Sequence, residues 1–485
     1  MKKLLNYQAD FLSSIVVFLV ALPLCMGISI ASGTPPIFGL ISGIIGGIVI
    51  GYLGGAPLQV SGPAAGLAVM VFEFIDSYGI ESLAPLGIVV GIFQLSIYFF
   101  KLADYFKAIS PALIKGLLSG IGLLILTGQI YVAFDSTPIG GGLDNIIKIP
   151  QTFFSYIIDS GHGRESFIVA SITLLSIILW GKFGKNAAKI IPPPLFAVIV
   201  ATIYSYFMGL NIKFVTIPEN IFGELNFVST KSFSIMTPIA FLKMIGIAFV
   251  ATAETLLSTS AIDRLSKGHS NYNKEMMGQG IGNFLAGIFG VLPITGVIVR
   301  SSANIHAGAK TKYSAILHGV WLVLMVFVFS KILHYVPMSA LAGILIFTGW
   351  RLLDIKSIPE LLKKSKSESV IYFVTLLLIV LVDLLTGVVM GFVCSIALLA
   401  KRSKHLIINK NGDSKNPVYE LKGEASFMQI PRMLESMSEI DDETSVVIDI
   451  SQLNKMDWAF EEQIMAKCQE LNVKGIQTKL IEQGH

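Results

Sequence analysis

The chain has 485 residues, of which 53% are hydrophobic and only 14% are charged, and its formal net charge is +4. Soluble proteins carry about 25% charged residues, so this composition excludes an ordinary soluble domain and indicates a protein with many membrane-spanning helices. The small net charge gives no reason to expect a nucleic-acid partner. The three cysteines, Cys25, Cys394 and Cys468, lie far apart and lack metal-ligand or disulfide spacing.

Apolar segments, taken in chain order, predict the membrane domain. A helix needs about 20 apolar residues to cross a bilayer. Segments of about this length lie near 11–31, 37–54, 84–100, 108–130, 166–181, 193–209, 236–259, 275–292, 313–333, 337–352, 368–383 and 385–401. Two further segments, near 62–76 and 296–307, are shorter and begin after proline or glycine. The sequence therefore predicts an all-α polytopic membrane domain of 14 segments over residues 1–405.

Charges between the segments predict their orientation. Cytoplasmic loops are enriched in lysine and arginine, and here these residues follow even-numbered segments, as at Lys101, Lys182 and Lys363. Loops after odd-numbered segments instead hold acids such as Asp76 and Asp144. We therefore expect an integral protein of the plasma (inner) membrane with a cytoplasmic N-terminus and an even number of segments.

A weak internal repeat relates the two short segments. Gly-x-x-Pro precedes each of them, at Gly54–Pro57 and again at Gly290–Pro293, seven segments apart. An odd spacing places the two halves in opposite orientation, which is the arrangement of inverted-repeat transporters whose broken helices meet at the bilayer midplane. Coincidence in a glycine-rich chain is the alternative for this pattern taken alone.

From about residue 406 the composition becomes polar. Alternating strand and helix patterns appear in the order VYELKGEASF, IPRMLESMSEI, SVVIDI, AFEEQIMAKCQELNVKG and IQTKLIE, the first, third and last being strands. The sequence therefore predicts a second, small α/β domain at 406–485.

One acid, Glu254, lies within an otherwise apolar predicted span. Charged groups at membrane depth cost roughly 3 to more than 10 kcal/mol and usually face a polar cavity. Ser258 shares its helical face, which Thr255 and Thr259 flank. A carboxylate beside hydroxyls can ligate Na⁺ or, in apolar surroundings, hold a proton, so these residues predict a cation-coupling site. A structural hydrogen bond to a neighbouring helix is the alternative.

The starts of the two short segments predict an anion site. Each should present unpaired backbone N–H groups at a helix N-terminus, where an anion is favoured; the residues are Gly62, Pro63, Ala64, Ala65 and Gly66 in the first, and Gly296, Val297, Ile298, Val299, Arg300 and Ser301 in the second. The Arg300 guanidinium can add long-range attraction or direct donors. Close packing of small residues, and a salt bridge between Arg300 and Glu254, are the structural alternatives.

No sequence pattern predicts an enzyme. The HExxH, P-loop and nucleophile-elbow motifs do not occur, and His306 and His318 have no partners at metal-ligand spacing. We therefore expect no cofactor and no catalytic metal. The expected partners are an inorganic anion as substrate, co-transported H⁺ or Na⁺, and the lipid membrane.

Several long motifs closely resemble the SulP sulfate permease family, which is related to solute carrier family 26. They are VALPLCMGISIASG with VSGPAAG, ATAETLLSTSAIDRL, and GQGIGNFLAGIFGVLPITGVIVRSSANIHAGAKT. The likeness covers nearly the whole chain, and the tail resembles a STAS domain. It implies two inverted repeats of seven segments divided into core and gate domains, with a cytoplasmic STAS domain that serves stability or assembly of a homodimer.

The resemblance also implies the site and the activity. Segments 1, 3, 8 and 10 form the site in this family, which adds Pro23 and Leu24 to the residues above and places the family's arginine at Arg300 and its acid at Glu254. The family carries sulfate, bicarbonate, chloride and dicarboxylates. The chain is therefore expected to be a secondary active transporter of an inorganic anion, bicarbonate or sulfate, working by an elevator-like movement of core against gate.

Departures from the family pattern bear on the substrate. Leu24 follows Pro23 where many members have glutamine, and Val299 stands where a relative has a hydroxyl before the arginine. The lost polar contact argues against sulfate, and likeness to members fused to carbonic anhydrase favours bicarbonate. The alternatives are an uncoupled chloride channel or exchanger, or a dicarboxylate transporter. Coupling requires a titratable or cation-binding group such as Glu254, and a channel does not.

Overall fold

The computed structural model describes residues 2–103, 111–138, 142–159, 163–184, 187–216, 220–266, 268–353, 355, 358–364, 366–400, 406–413, 416–425, 429–437, 440, 445–456, 458–473 and 475–481. The helices up to residue 400 are α1 (Lys2–Ala31), α2 (Pro36–Ile45), α3 (Gly51–Leu53), α4 (Ala65–Tyr78), α5 (Leu83–Phe99), α6 (Pro111–Ala133), α7 (Gly142–Phe153), α8 (Arg164–Phe183), α9 (Ala187–Ile190), α10 (Pro193–Met208), α11 (Ile221–Glu224), α12 (Pro238–Ser266), α13 (Tyr272–Phe289), α14 (Ile298–His306), α15 (Tyr313–Phe327), α16 (Ser330–Leu333), α17 (Met338–Leu352), α18 (Ile358–Lys364), α19 (Lys366–Leu381) and α20 (Leu384–Ala400). A π-helical stretch, Gly46–Ile50, joins α2 to α3.

The long helices have the length and composition of membrane spans. Among the described residues, six helices are long and apolar enough to cross a bilayer: Tyr7–Ala31, Pro36–Leu53, Ile80–Phe99, Ala112–Ala133, Arg164–Phe183 and Pro238–Asp263. They coincide with apolar segments predicted from the sequence. Helices α7 and α18, and the four-residue helices α9 and α11, lie outside every predicted segment. Their sequences are less apolar, which is why hydropathy alone did not find them.

The membrane helices pack as two groups. In the first, α1 contacts α2 and α15, and α5 contacts α12 and α13. In the second, α6 contacts α17 and α19, and α8 contacts α10 and α17. Small residues permit the closest crossings: a Cβ on Gly87 of α5 would lie 2.5 Å from the Gly287 nitrogen of α13. The first group, which we call the α1 bundle, holds both short helices α4 and α14.

Two short strands depart from the all-α prediction for the membrane domain. Ser61–Pro63 (β1) pairs antiparallel with Ile294–Gly296 (β2), with Gly62 opposite Thr295. Three extended residues are too few to show the alternation of apolar and polar residues by which a strand is recognised. Each strand needs its partner from the distant half of the chain to complete its hydrogen bonds, so the pairing could not be read from local sequence.

The tail forms an α/β unit, as predicted from its alternating pattern. Its elements are β3 (Ile407–Asp413), β4 (Asn416–Ala425), α21 (Ile430–Ser436), β5 (Ser445–Met456), α22 (Trp458–Val473) and β6 (Gln477–Ile481). The strands lie in the order β3-β4-β5-β6, antiparallel between β3 and β4 and parallel thereafter. Strand β3 was not predicted. The apolar core of the tail is continuous with Leu113 of α6 and Tyr372 of α19, so the tail packs against the second bundle.

Candidate functional site

The two broken segments bring two helix N-termini to one place. Strand β1 leads into α4 and strand β2 into α14, and because the strands are antiparallel the two helices leave in opposite directions. The residues before the helices, Ala64 and Val297, are extended, and no side chain caps either helix start. The first-turn N–H groups thus have no side-chain partner, and a helix start of this kind favours an anion.

A small cavity of about 70 Å³ lies at these helix starts. From the α1 bundle it is lined by Leu24, Ile28, Ala65, Gly66, Glu254, Leu257, Ser258, Val297, Ile298, Val299 and Arg300, and from the second bundle by Leu118, Thr348 and Leu352. Most of this lining is apolar. An ion inside it would therefore meet few polar groups besides the backbone amides, the Glu254 carboxyl group, Arg300 and the hydroxyls of Ser258 and Thr348.

Glu254 reaches the start of the first short helix. A Cβ added to Gly66 would lie 2.8 Å from both of its carboxyl oxygens, so only glycine leaves room for the acid there. The Oε2 atom is buried and has no hydrogen-bond partner in the structure. Glu254 and Arg300, both fully described, form no ion pair with each other, and the predicted structural alternative of a salt bridge between them is wrong.

The hydroxyls around Glu254 bind the backbone of β2. The Thr255 hydroxyl accepts a hydrogen bond of 3.1 Å from the Gly296 N–H, and the Ser258 hydroxyl donates one of 2.7 Å to the Gly296 carbonyl. These bonds fix α12 against the second break. Both are structural hydrogen bonds, although to strand β2 and not to a neighbouring helix as the alternative supposed. A direct role of Thr255 or Ser258 in holding a cation stays a prediction.

Arg300 lies in a fully buried position beside the first break. Its Nη2 donates a hydrogen bond of 3.1 Å to the Pro63 carbonyl, whereas Nε and Nη1 have no partner. A Cβ on Gly62 would collide with Nη1, so the glycine makes the slot for the guanidinium. The guanidinium charge therefore lies close to the start of α4, and its Nε and Nη1 donors remain unused. Its surroundings are ones in which electrostatic attraction is stronger than in water.

The remaining predicted residues divide between lining and support. Leu24 lines the cavity, whereas Pro23, one residue earlier in α1, does not. Ser301 acts in support: its hydroxyl accepts a 2.8 Å hydrogen bond from the Val60 N–H and donates one of 2.7 Å to the Val297 carbonyl. It therefore ties the two breaks together without facing the cavity.

A buried polar row on α13 was missed by the sequence analysis. Glu275, Gln279 and Asn283 occur four residues apart on one helical face, and all are almost fully buried. Asn283 accepts from the Ile294 N–H at 2.7 Å and donates to its carbonyl at 2.8 Å, which holds the start of β2. Three polar residues at helical spacing in an apolar segment were the signal that could have found this row.

A polytopic helical membrane domain with two broken segments is an architecture found in many secondary transporters. Comparison with known families agrees: the model of the sulfate permease family matches residues 7–375. That match covers well over half of the chain, and the protein belongs to the sulfate permease family. Its members in the comparison are transporters and not enzymes, in agreement with the sequence analysis.

Individual relatives extend this comparison. YvdB of Bacillus subtilis (strain 168), whose name proposes sulfate transport, is 29% identical over 90% of this chain and 83% of its own length. The solved transmembrane domain of a cyanobacterium bicarbonate transporter, BicA, has a TM-score of 0.69 and 25% identity over 79% of this chain and 97% of that one. The structure of SLC26A9 has the same TM-score at 16% identity over 99% of this chain and 85% of that one, and it shows the fold alone.

Proposed function

We propose that this protein is a secondary active transporter of an inorganic anion, bicarbonate or sulfate, coupled to H⁺ or Na⁺ through Glu254. One observation carries the proposal: two uncapped helix starts, a buried arginine and a carboxyl group without a salt-bridge partner converge on one small cavity. Structural packing alone gives no reason to keep two unpaired charges at membrane depth.

The anion is attracted by the helix starts and by Arg300. Each helix start contributes roughly half a positive charge together with free N–H donors. Arg300 adds a full charge behind the start of α4, and its unpartnered Nε and Nη1 leave that charge uncompensated. An anion placed between Gly66 and Val297 would therefore experience attraction from three directions.

Glu254 couples a cation to this anion through charge. Its carboxyl group lies against Gly66, where the anion would sit, so an ionised Glu254 repels the substrate. At an assumed separation of about 5 Å and an effective dielectric constant of about 20, the repulsion is about 3 kcal/mol. Binding of H⁺ or Na⁺ to Glu254 removes that cost, and by linkage each ligand then favours the other. Of the two cations, H⁺ is the one we expect.

The two bundles supply the moving parts. We propose that they correspond to the core and gate domains of two inverted repeats of seven segments. The antiparallel pairing of β1 with β2 supports opposite orientations of the two halves. Because Leu118, Thr348 and Leu352 close the cavity from the second bundle, movement of the α1 bundle along them would carry the site toward one side of the membrane or the other.

Bicarbonate is favoured over sulfate as the substrate. Leu24 and Val299 line the cavity without polar side-chain groups, and a doubly charged anion loses more hydration energy on entering such surroundings. The likeness to BicA at 25% identity supports the same choice, whereas the likeness to YvdB supports sulfate. We propose further that the tail at 406–485 is a cytoplasmic STAS domain that serves stability or homodimer assembly.

Uptake into proteoliposomes tests the function. Purified protein would be reconstituted and labelled bicarbonate, sulfate and succinate offered in turn, under an imposed proton gradient or an imposed sodium gradient. With an inward proton gradient we expect more accumulation of bicarbonate than in protein-free liposomes, in which CO₂ crosses the bilayer and is trapped as bicarbonate in the more alkaline lumen. Strict dependence on Na⁺ at constant pH would change the assigned cation, and anion flux that never exceeds equilibrium under either gradient would instead establish an uncoupled channel or exchanger.

A further inference from the structure

The segment that leads into the first short helix, residues 54–63, is held by one buried carboxylate. Glu275 Oε2 accepts hydrogen bonds from the Gly55 N–H at 2.9 Å and the Ala56 N–H at 3.0 Å. Its Oε1 accepts from Gln59 Nε2 and from Gln279 Nε2, both at 2.9 Å. We call residues 54–63 the lead-in segment.

The hydrogen bonds indicate the charge state of Glu275. All four partners are N–H donors, two at each carboxyl oxygen, and a protonated acid would direct its O–H at one of them. The ionised form therefore suits the network. The position also favours a negative charge, because Glu275 lies in the first turn of α13, where the helix dipole stabilises an anion.

The clamp extends from Glu275 to the start of α4. Gln59, which donates to Glu275, also accepts a 2.9 Å hydrogen bond from Thr259 of α12. Gln279 in turn donates one of 2.8 Å to the Ser61 hydroxyl in β1. The lead-in segment is thus held near its beginning and near its end. Strand β1 ends at Pro63, two residues before the helix whose N–H groups face the cavity.

We propose that Glu275 is a positioning residue for the anion site: its ionised carboxylate holds the lead-in segment, and thereby aims the start of α4 at the cavity and fixes the Pro63 carbonyl that holds Arg300. This inference rests on the proposed function. Glu275 lies outside the residues that line the cavity and contacts no substrate in this arrangement.

The sign of the effect separates positioning from simple charge. Glu275 carries a negative charge near an anion site, so its removal by Glu275→Gln would tighten anion binding if charge were its only contribution, and more for sulfate than for bicarbonate. If the carboxylate positions the site, the same substitution must weaken binding. A glutamine can accept from only one pair of donors and turns its own NH₂ toward Gln59 and Gln279, whose side-chain amides must turn over to accept it. The clamp then has no charge-assisted hydrogen bond and is weaker, without a change of volume.

The double variant Gln59→Glu with Glu275→Gln provides the rescue. The contact between positions 59 and 275 again consists of one carboxylate and one amide, but the two groups have exchanged positions. The carboxylate introduced at position 59 can accept from the amide at position 275 and from Thr259, and the amide oxygen at position 275 can still accept from Gly55 and Ala56. The exposed Glu81→Gln is the matched control, because it makes the same chemical change at the protein surface.

The experiment measures dissociation constants for bicarbonate and for sulfate by calorimetry on the purified full-length protein, together with half-saturation and maximal rate of uptake in proteoliposomes. For Glu275→Gln we expect affinity weakened about fivefold or more, in line with the loss of a hydrogen bond to a charged group, with a matching rise in half-saturation, little change in maximal rate, and recovery in the double variant.

Three outcomes would overturn the inference. Unchanged or tighter binding in Glu275→Gln would show that the carboxylate does not position the site. Suppose that Glu275→Gln weakens anion affinity, that the double variant does not restore it, and that the melting temperature falls to the same extent in both variants. This result would show a role in stability alone. If the wild-type protein bound neither bicarbonate nor sulfate, the proposed function itself would fail, a result distinct from the first two because it appears before any substitution.

Discussion

At the residue scale, the site rests on two charged side chains that avoid each other. Arg300 donates to Pro63 and Glu254 lies against Gly66, so each is directed to the first break from a different helix. A direct pair between them would have neutralised both charges. In the proposed mechanism, their separation leaves Arg300 to attract an anion and Glu254 to respond to a cation.

Glu254→Gln should abolish gradient-driven accumulation while anion binding persists. The amide keeps the shape of the carboxyl group but cannot be ionised, so anion binding no longer depends on the binding of a cation at this position. Accumulation of labelled bicarbonate under a proton gradient measures the loss, and calorimetry measures the retained binding. Glu81→Gln serves as the surface control, and full accumulation by folded Glu254→Gln would remove this residue from the coupling mechanism.

Arg300→Ala should weaken anion affinity by roughly 1–3 kcal/mol, because it removes a buried positive charge and its anchoring bond to the Pro63 carbonyl. The loss should be larger for sulfate than for bicarbonate, since attraction scales with the anion's charge. Arg300→Lys retains the charge without the planar set of donors, so its anion affinity should lie between those of the wild-type protein and Arg300→Ala. Equal affinities in all three proteins, measured by calorimetry, would assign Arg300 a structural role only.

At the element scale, the proposed function depends on how two short helices begin. Their approximate positions were readable from Gly-x-x-Pro and the small residues that follow, since such residues break a helix and admit close approach. The predicted starts near 62 and 296 were two or three residues early, because Gly62, Pro63 and Gly296 lie in strands and the helices begin at Ala65 and Ile298. The strands that precede the helices were not readable, because each finds its hydrogen-bond partners across more than 200 residues of sequence. The same holds for Glu275, whose partners at 55–59 belong to another part of the chain.

Gly62→Ala should disturb the site more than its small volume suggests. The added Cβ would overlap Arg300 Nη1, and the guanidinium must move away from Pro63 to relieve the contact. We expect weaker anion binding, by about 1 kcal/mol or more, with the helices intact by circular dichroism. Gly128→Ala is the control, because the nearest atom to its added Cβ is 3.9 Å away. Equal anion affinity in the two variants would contradict the proposed slot.

At the scale of the whole molecule, the membrane domain contains every predicted site residue and the tail contains none. The tail nevertheless shares an apolar core with Leu113, Leu361 and Tyr372 of the membrane domain. Its apolar core therefore joins the second bundle, while a cavity of about 620 Å³ lies between the tail and the facing ends of α12 and α13 in the α1 bundle.

Deletion of residues 406–485 should leave anion binding in place and lower stability or dimer content. The deletion exposes apolar side chains at the start of α6 and on α19 that the tail core now covers, so we expect a lower melting temperature and more monomer by light scattering. Calorimetry with bicarbonate measures the retained site. A folded truncated protein that bound no anion would show that the tail forms part of the site.

The sequence by itself determined the membrane class, the positions of the apolar helices, the two breaks and the isolated acid and arginine. These are local properties: hydropathy, helix-breaking residues and rare charges can be read within one segment. Only the tertiary structure decided that Glu254 meets Gly66, that Arg300 binds Pro63 instead of the acid, and that Glu275 clamps residues 55–59. Each of these contacts joins segments from distant parts of the chain. Buried polar atoms need hydrogen-bond partners, and only tertiary packing decides which partners are near enough.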